Sequence, residues 1–512
     1  MQPRSPGLDP RSAIVLAVLA LAALAALAAA ARAAADAPSA YVDCGAPDGG
    51  DGTYDRPWNT LAQASTVALD PGARLLLRRG TVCAGTLAPV GSGTAEAPVV
   101  VGAYGSGPRP RIEGAGPDAV LLRNTGYLVL QDLEITNRGD VEARRRGVHV
   151  VADGTLVRAV TVRELWIHDV DGDLAKDSNG SGGIQVDVFG GGRFDELLIE
   201  RNRIEDVSRS GIFIVAGSGV RPPAGSPWPE ASTGVVVRRN RLARLGGDGI
   251  VPLGTVGALV EDNVLSEGNL RGHDFGSPSR VCNAGIWTFD ANDTVIQRNE
   301  VFDMHFNGCD GTAFDIDYAQ DGTIVQYNYS HDNEGGFILL CTDPALRRAE
   351  VRFNLSVDDN YAVDSVPCAF PQVGTYDGVR LYNNTIVGRN PLLSLEGRPI
   401  AGLIDAQHLE FRNNLFVAMP PAAVPFPCGA RCSNNLFFDM PPAGASAVVL
   451  DPRLRAPRRR GGGRARMGRN FRLRRDSPAI GAGVPIPGSV DRDFFGHAFA
   501  ASEPPSIGFH QP

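Results

Sequence analysis

One short phrase recurs along most of this chain and restricts what the chain can fold into. It reads VTVRELWIHDV at 160–170, LLIERNRIEDV at 197–207, VVVRRNRLARL at 235–245 and ALVEDNVLSEG at 258–268. It returns as TVIQRNEVFDM (294–304), TIVQYNYSHDN (323–333), EVRFNLSVDDN (350–360), VRLYNNTIVGR (379–389) and LEFRNNLFVAM (409–419). Inside each copy apolar and polar residues alternate, the pattern of a strand and not of a helix. Spacings from roughly the low twenties to the high thirties of residues fall in the range of solenoid repeats. A unit of that size cannot bury its own apolar face, so successive units must stack and share one core.

A second strand, usually led by Gly, lies between successive copies: GVHVV (147–151), GIQVDV (183–188), GIFIVA (211–216), GIVPL (249–253), GIWTF (285–289), AFDID (313–317) and GFILL (336–340). Each coil therefore carries at least two strands joined by polar turns. Asn202, Asn240, Asn263, Asn299, Asn328, Asn354, Asn384 and Asn414 occupy one fixed corner. Asn tolerates the left-handed conformation and bonds its own turn, and stacked amides bond from layer to layer. This row is read as structural, and the sequons at Asn292, Asn328, Asn354 and Asn383 as chance matches.

These phrases resemble the right-handed parallel β-helix repeats of the pectate-lyase-like superfamily. The entry YVDCGAPDGGDGTYDRPWNTLAQA (41–64) is similar to the lead-in of many secreted β-helix polysaccharide enzymes. The exit NFRLRRDSPAIGAG (470–483), with Asp491, Asp493 and IGF at 507–509, is similar to their terminal segment. The resemblance covers most of residues 41–510 and implies an all-β fold, a β-solenoid of about ten coils. It says far less about activity, because lyases, hydrolases, epimerases and non-enzymes share that scaffold.

No linker composition interrupts the repeats. The expected organisation is a signal peptide at 1–37, an N-terminal cap with first strands at 38–140, β-helix repeats at 141–440 and a C-terminal segment at 441–512. Arg4 and Arg11 precede an Ala/Leu/Val stretch ending in ARAAADA (31–37), which reads as a cleaved export signal. The expected location is secreted, periplasmic or cell-surface, and the expected state a monomer with no membrane span after signal removal. Eight Cys fit an oxidising compartment. Order along the chain suggests Cys44–Cys83, Cys282–Cys309, Cys341–Cys368 and Cys428–Cys432, although order alone leaves many connectivities open.

No zinc-type spacing, phosphate loop or serine-hydrolase elbow is present, so the chemistry must come from side chains facing out of the coils. Counting two and four residues past each Gly gives outward rows ending Trp287, Asp315, Ile338 and Phe289, Asp317, Leu340. Asp315 and Asp317 then share a face with Cα atoms about 6.7 Å apart. Paired carboxylates are the equipment of acid–base glycoside cleavage, and with Asp310 they could instead hold calcium. Trp287 and Phe289, one coil away at about 4.8 Å, are placed to stack on a sugar. Glu334 is the third catalytic candidate, with His331, Asp332 and the outward Asp187 beside the groove. Asp is disfavoured in strands, so AFDIDY is a locally inconsistent segment of the kind found at functional sites.

A second acidic cluster, HDVDGDLAKDSNG (168–180), carries Asp169, Asp171, Asp173, Asp177 and the only lysine, Lys176. The resemblance implies a possible pairing of such acids with a Lys or Arg base, as in calcium-assisted lyases. The plainer reading, a solvated loop, is favoured here, and GGDG (246–249) is read as a turn. The net charge of −8 conceals an Arg-rich stretch at 453–475, expected to form a mobile loop at the end of the solenoid, either solvated or contacting polyanions. No specific nucleic-acid recognition is expected. Two functions stay open: cleavage of an extracellular polysaccharide, glycosidase- or lyase-type, or a non-catalytic surface or adhesion β-helix that binds glycans.

Overall fold

The computed structural model describes residues 39–512 apart from 141, 177–178, 218–227, 272–281, 308–309, 342–344, 367–374, 389–392, 396–397, 400–408, 424, 427–430, 458–462 and 501–502. The export signal, Asp177, Cys309, Cys368 and Cys428 lie outside the described residues. Among those described, no helix is long and apolar enough to cross a membrane.

The repeats wind into a parallel β-helix whose three faces are sheets of 16, 13 and 11 strands. In the first sheet's path, ten strands lie within 141–440 and four within 39–140, so the coils begin well before the first clear repeat. Residues stack on their equivalents in the next coil: Ile167 pairs with Ile204, Ile204 with Leu242, Leu242 with Leu265, and Leu265 with Val301. All of these are buried. Such like-on-like rows form the shared core that single units lack.

The Asn row is a continuous ladder. Asn202 donates its backbone N–H (2.9 Å) and its amide Nδ2 (3.0 Å) to Asn240 Oδ1, and Nδ2 also reaches back to Val162 O at 3.0 Å. The pattern repeats through each Asn of the row and ends one step beyond the expected set, at Asn435. Asn328 and Asn354 are 0% exposed within it, which closes those sequons to modification in the folded chain. The left-handed conformation expected of the Asn falls on the residue before it: Arg201, Arg239, Arg298, Tyr327 and Phe353 all have φ between 51° and 58°. For a bulky side chain that geometry costs about 1–3 kcal/mol, and the ladder fixes it.

The outward rows hold as far as Asp315 and Asp317 and then slip. Asp315 pairs with Leu339, so Ile338 and Leu340 point into the core, and the expected outward positions there are wrong by one residue. Gly336, with φ at 122°, begins that strand and shifts its phase.

The Arg-rich stretch is also not a loop hanging off the solenoid's end. After 458–462, the helix Arg464–Asn470 turns back along the coils, and the backbone N–H of Arg464 donates to Glu300 Oε2 at 2.8 Å. Met467, Phe471 and Leu473 bury themselves with Leu355, Leu415 and Leu436 on the second sheet's outer face. Apolar residues inside the Arg run supply this anchor, which a charge count overlooks.

Cys44 and Cys83 form a disulfide across 39 residues of the N-terminal segment. Cys282, Cys341 and Cys432 are each disulfide-bonded as well, their expected partners lying outside the described residues.

Candidate active site

The third sheet carries the candidate site on its outer face. In the strand Thr312–Ile316, Ala313, Phe314 and Ile316 fill the core, which leaves Asp315 directed outward. Its register partner one coil below is Trp287 of the strand Ile286–Thr288. Asp310 sits at the turn entering the strand, in the left-handed region (φ 54°), and Asp317 leaves it. Asp317 Oδ1 accepts the Tyr318 backbone N–H at 2.6 Å.

Outward does not mean exposed. Asp315 is only 2% exposed, whereas Asp310 and Asp317 are half-buried on either side of it. Asp315 Oδ1 has no hydrogen-bond partner. Burial first, then the charges of Asp317 and Asp310, push the Asp315 pKa well above the carboxylate range. Burial also lifts Asp317, to about 6, against the pull of the Lys176 ammonium and the Tyr318 hydrogen bond. The coil thus carries a buried carboxyl, shifted toward its neutral form, between two half-buried ones.

Lys176 is the cover. Its ammonium lies 4.2 Å from the centroid of the Trp287 indole and 3.6 Å from Asp248 Oδ1, and it donates to Cys282 O. Asp248 is fully buried and receives the Trp287 indole N–H at 2.9 Å and the Ala284 N–H at 3.2 Å. Its other oxygen lies 2.9 Å from an Arg209 Nη, an ion pair whose angle is poor for a hydrogen bond. Arg209 Nε holds Leu174 O at 3.1 Å, and Gly172 N donates to Ser208 Oγ at 3.0 Å, which pins the acidic loop over the sheet. A Cβ on Gly247 would sit 1.7 Å from Arg209 Nη1, so the GGDG segment is glycine-rich to let that guanidinium pass.

Several expected roles change accordingly. The loop around Lys176 is a built part of the site and not a solvated surface. Trp287, expected as an open sugar platform, is 3% exposed beneath Lys176. The accessible aromatic surface is instead Phe289 stacked on Tyr318, with centroids 5.2 Å apart and planes at 21°. Asp187, expected to touch substrate, is 0% exposed and spent on His149 Nε2 (2.9 Å), Asn179 N (2.9 Å) and Gln185 Nε2 (3.1 Å). It anchors the far end of the Lys176 loop.

His331 and Glu334 belong to a different cleft, of about 580 Å³, bordered by Phe302, Asp303, Asp332 and Asp359. His331 ends the strand Tyr329–His331 of the second sheet, a different face from that of Asp315. Glu334 lies in the turn that follows, where the next residue, Gly335, packs on the backbone of Asp310 and Gly311. His331 is sandwiched between Phe302 and Tyr329, at 4.6 and 4.5 Å. Burial opposes its charge, but Asp332 at 2.9 Å and Glu300 at 3.6 Å outweigh that and lift its pKa to about 9. Glu334 is exposed, accepts the Phe306 N–H at 2.7 Å and faces His305.

The three carboxyls named for calcium do not cluster by themselves. Asp310, Asp315 and Asp317 do not bring three ligand atoms together, and Lys176 already supplies a positive charge beside them. Among the described residues, the one group with three such atoms within 4.8 Å is Asp493, His497 and His510 in the C-terminal segment. There His510 Nδ1 accepts the Leu473 N–H at 3.2 Å, which leaves the proton on Nε2 and unsuits that ring as a ligand.

Comparison with known proteins agrees with the architecture. A family model for the right-handed beta helix region matches residues 195–386. A lacto-N-biosidase of Bifidobacterium longum subsp. longum is 27% identical over 454 residues, covering 70% of this chain and 27% of that protein. The chain therefore spans about a quarter of that relative's length. The crystal structure of a GH136 lacto-N-biosidase from Eubacterium ramulus superposes with a TM-score of 0.60 at 25% identity, over 73% of this chain and 67% of that one. XylC in complex with xylose matches at a TM-score of 0.56 over 92% and 98% of the two chains, but at 14% identity that likeness concerns fold alone. This chain is a right-handed parallel β-helix repeat protein, and its sequence relatives are carbohydrate-active enzymes.

Proposed function

We propose that this chain is an extracytoplasmic glycoside hydrolase that cleaves a glycosidic bond between Asp310 and Asp317. The observation that carries the reading is the unequal trio on one coil: a buried Asp315 flanked by two half-buried carboxyls. Hydrolysis of an acetal needs one carboxyl to give a proton to the leaving oxygen and a second to stabilise or trap the sugar cation. Asp317, raised to about 6, is the acid, protonated in mildly acidic solution. Asp310 is the opposing carboxylate. Asp315 does not reach substrate: it is a positioning residue whose neutral form limits repulsion between its neighbours. Phe289 and Tyr318 offer the stacking surface for a sugar ring. Water supplies the hydroxyl that ends on the new reducing end, and the proton lost by Asp317 is recovered from that water.

The names of the relatives make a lacto-N-biosyl glycoside the first substrate to test, and the disulfides favour an oxidising compartment. The test is release of a chromogenic aglycone by the full chain and by Asp310→Asn and Asp317→Asn. Each substitution is expected to lower kcat/KM by at least about a thousandfold, on the scale of lost acid–base and nucleophilic help. Full activity in Asp310→Asn would hand its role back to Asp315. Glycan binding without turnover by the parent would favour the non-catalytic reading. A chelator is expected to leave turnover unchanged, because the trio does not form a cation cage.

A further inference from the structure

The returning C-terminal segment creates a second, chemically opposite cavity. It measures about 400 Å³ and lies over the corner formed by Arg298 and Tyr327, between the first and second sheets and away from the third. Arg298, Arg464, Arg469, Arg472 and Arg492 line it, against one carboxylate, Asp493.

That carboxylate is committed elsewhere. Asp493 Oδ1 accepts the N–H groups of Phe495 and His497, each at 2.9 Å, and Oδ2 accepts the Gln511 N–H at 3.1 Å. Arg298 is paired outside the cavity with Glu261 and Asp262. Among the described residues, Arg464, Arg469, Arg472 and Arg492 form no ion pair, and Arg472 Nε is buried with no hydrogen-bond acceptor. Two of these guanidiniums lie over aromatic rings: Arg464 Cζ is 4.4 Å from the Phe494 centroid and Arg472 Cζ 3.9 Å from that of Phe495. The two rings pack edge to face at 5.2 Å. Arg464 gives Nε to Tyr327 O at 2.8 Å and Nη2 to Phe494 O at 3.3 Å, and Arg492 gives Nη1 to Gly496 O at 3.0 Å, which fixes both guanidiniums at the cavity wall. The buried Arg472 Nε, which has no acceptor, is the donor left for an oxyanion.

We propose that this cavity binds a tetrahedral oxyanion, a sulfate or phosphate group, either as the free ion or as an ester on a glycan. Guanidiniums approaching from separate elements match an anion with three or four acceptor oxygens better than a two-oxygen carboxylate. Burial first, then the neighbouring Arg298, brings the Arg464 pKa down to about 10. Burial likewise depresses Arg472, with Arg455 and Arg469 adding to it. Asp262 and Glu300 offset part of this for Arg464, and Asp493 for Arg472, but the arginines lining the cavity outnumber its one carboxylate, and an anion relieves the excess.

The test is calorimetric titration of the full chain with sodium sulfate, sodium phosphate and 6-sulfo-N-acetylglucosamine, against sodium chloride of equal ionic strength. Saturable heat from at least one of the three, absent with chloride, is expected, together with a higher Tm. Response to the sulfated sugar alone assigns the glycan ester as source, and response to the free ions assigns them. Arg469→Ala, at an exposed position, and Arg472→Ala are each expected to weaken binding by about tenfold, the loss of one charge-assisted contact. Glycoside turnover should stay at the parent level in both. The proposal is overturned if sulfate and phosphate behave like chloride and the sugar does not bind, or if Arg469→Ala binds as tightly as the parent.

Discussion

Lys176 lies over the indole of Trp287, although three coils separate the loop of one from the strand of the other. Both are tied to the buried Asp248, so one carboxylate fixes a cation and an aromatic ring against the floor of the site. The ammonium is also the largest influence holding the Asp317 pKa down against burial.

Replacing it should therefore move a pH profile. Lys176→Met removes the charge that favours ionised Asp317, so the Asp317 pKa rises above about 6 and the alkaline limb of activity shifts to higher pH. Tryptophan emission should shift to the red as the Trp287 ring loses its cover. An unmoved alkaline limb would show that Lys176 serves the loop alone.

Stability should fall between pH 5 and pH 7.5. Burial raises Asp317 and Asp359 to about 6, and Asp315 in the same direction. A carboxyl raised in the folded state contributes stability that is complete below its unfolded pKa and lost as pH rises through the folded one. His331, raised to about 9, adds a loss that begins above its ordinary value near 6.5. His510, lowered to about 4 by burial, acts in the opposite sense as pH falls below 6.5. Thermal scans should give a higher Tm at pH 5, and Asp317→Asn should flatten the slope. A Tm that rises from pH 5 to 7.5 would contradict the raised carboxyls.

Asn299→Ala should be costly. It removes the acceptor of both Asn263 N and Asn263 Nδ2, and the donor to Val260 O. Buried groups left unpaired cost about 1–3 kcal/mol each, so a loss of about 3 kcal/mol is expected in chemical denaturation. A loss under 1 kcal/mol would mean that water replaces the amide.

Cys44→Ser with Cys83→Ser should destabilise the N-terminal coils by about 2–4 kcal/mol, since the bridge closes a loop of 39 residues. Limited proteolysis should then begin before residue 140. Cleavage starting instead in the C-terminal segment would place the weak point elsewhere.

The solenoid was legible because its signal is repeated: period-two alternation, a fixed Asn and Gly-led strands agree copy after copy. The same count aimed Asp315 and Asp317 outward from the sheet correctly. It failed where the information is not periodic. Burial of Trp287 and Asp315 depends on a loop from a distant coil, and no pattern local to 285–317 reveals that Lys176 arrives there. Asp248 was passed over because a carboxylate in a glycine turn looks solvated until Arg209 is placed beside it. His331 was grouped with Asp315 by proximity in sequence, which its place on the second sheet undoes. The C-terminal tail was misjudged for a related reason: Met467, Phe471 and Leu473 are sparse among arginines, yet they suffice to dock it.

The Asn ladder gives the solenoid a direction. Each Asn sends its backbone N–H and its Nδ2 toward the coil made after it, as Asn202 does to Asn240 and Asn414 to Asn435. A growing chain halted after any rung ends on an amide and a backbone donor whose acceptor has not yet been synthesised. Every coil is thus finished by its successor, and a truncation exposes its defect at the last corner retained.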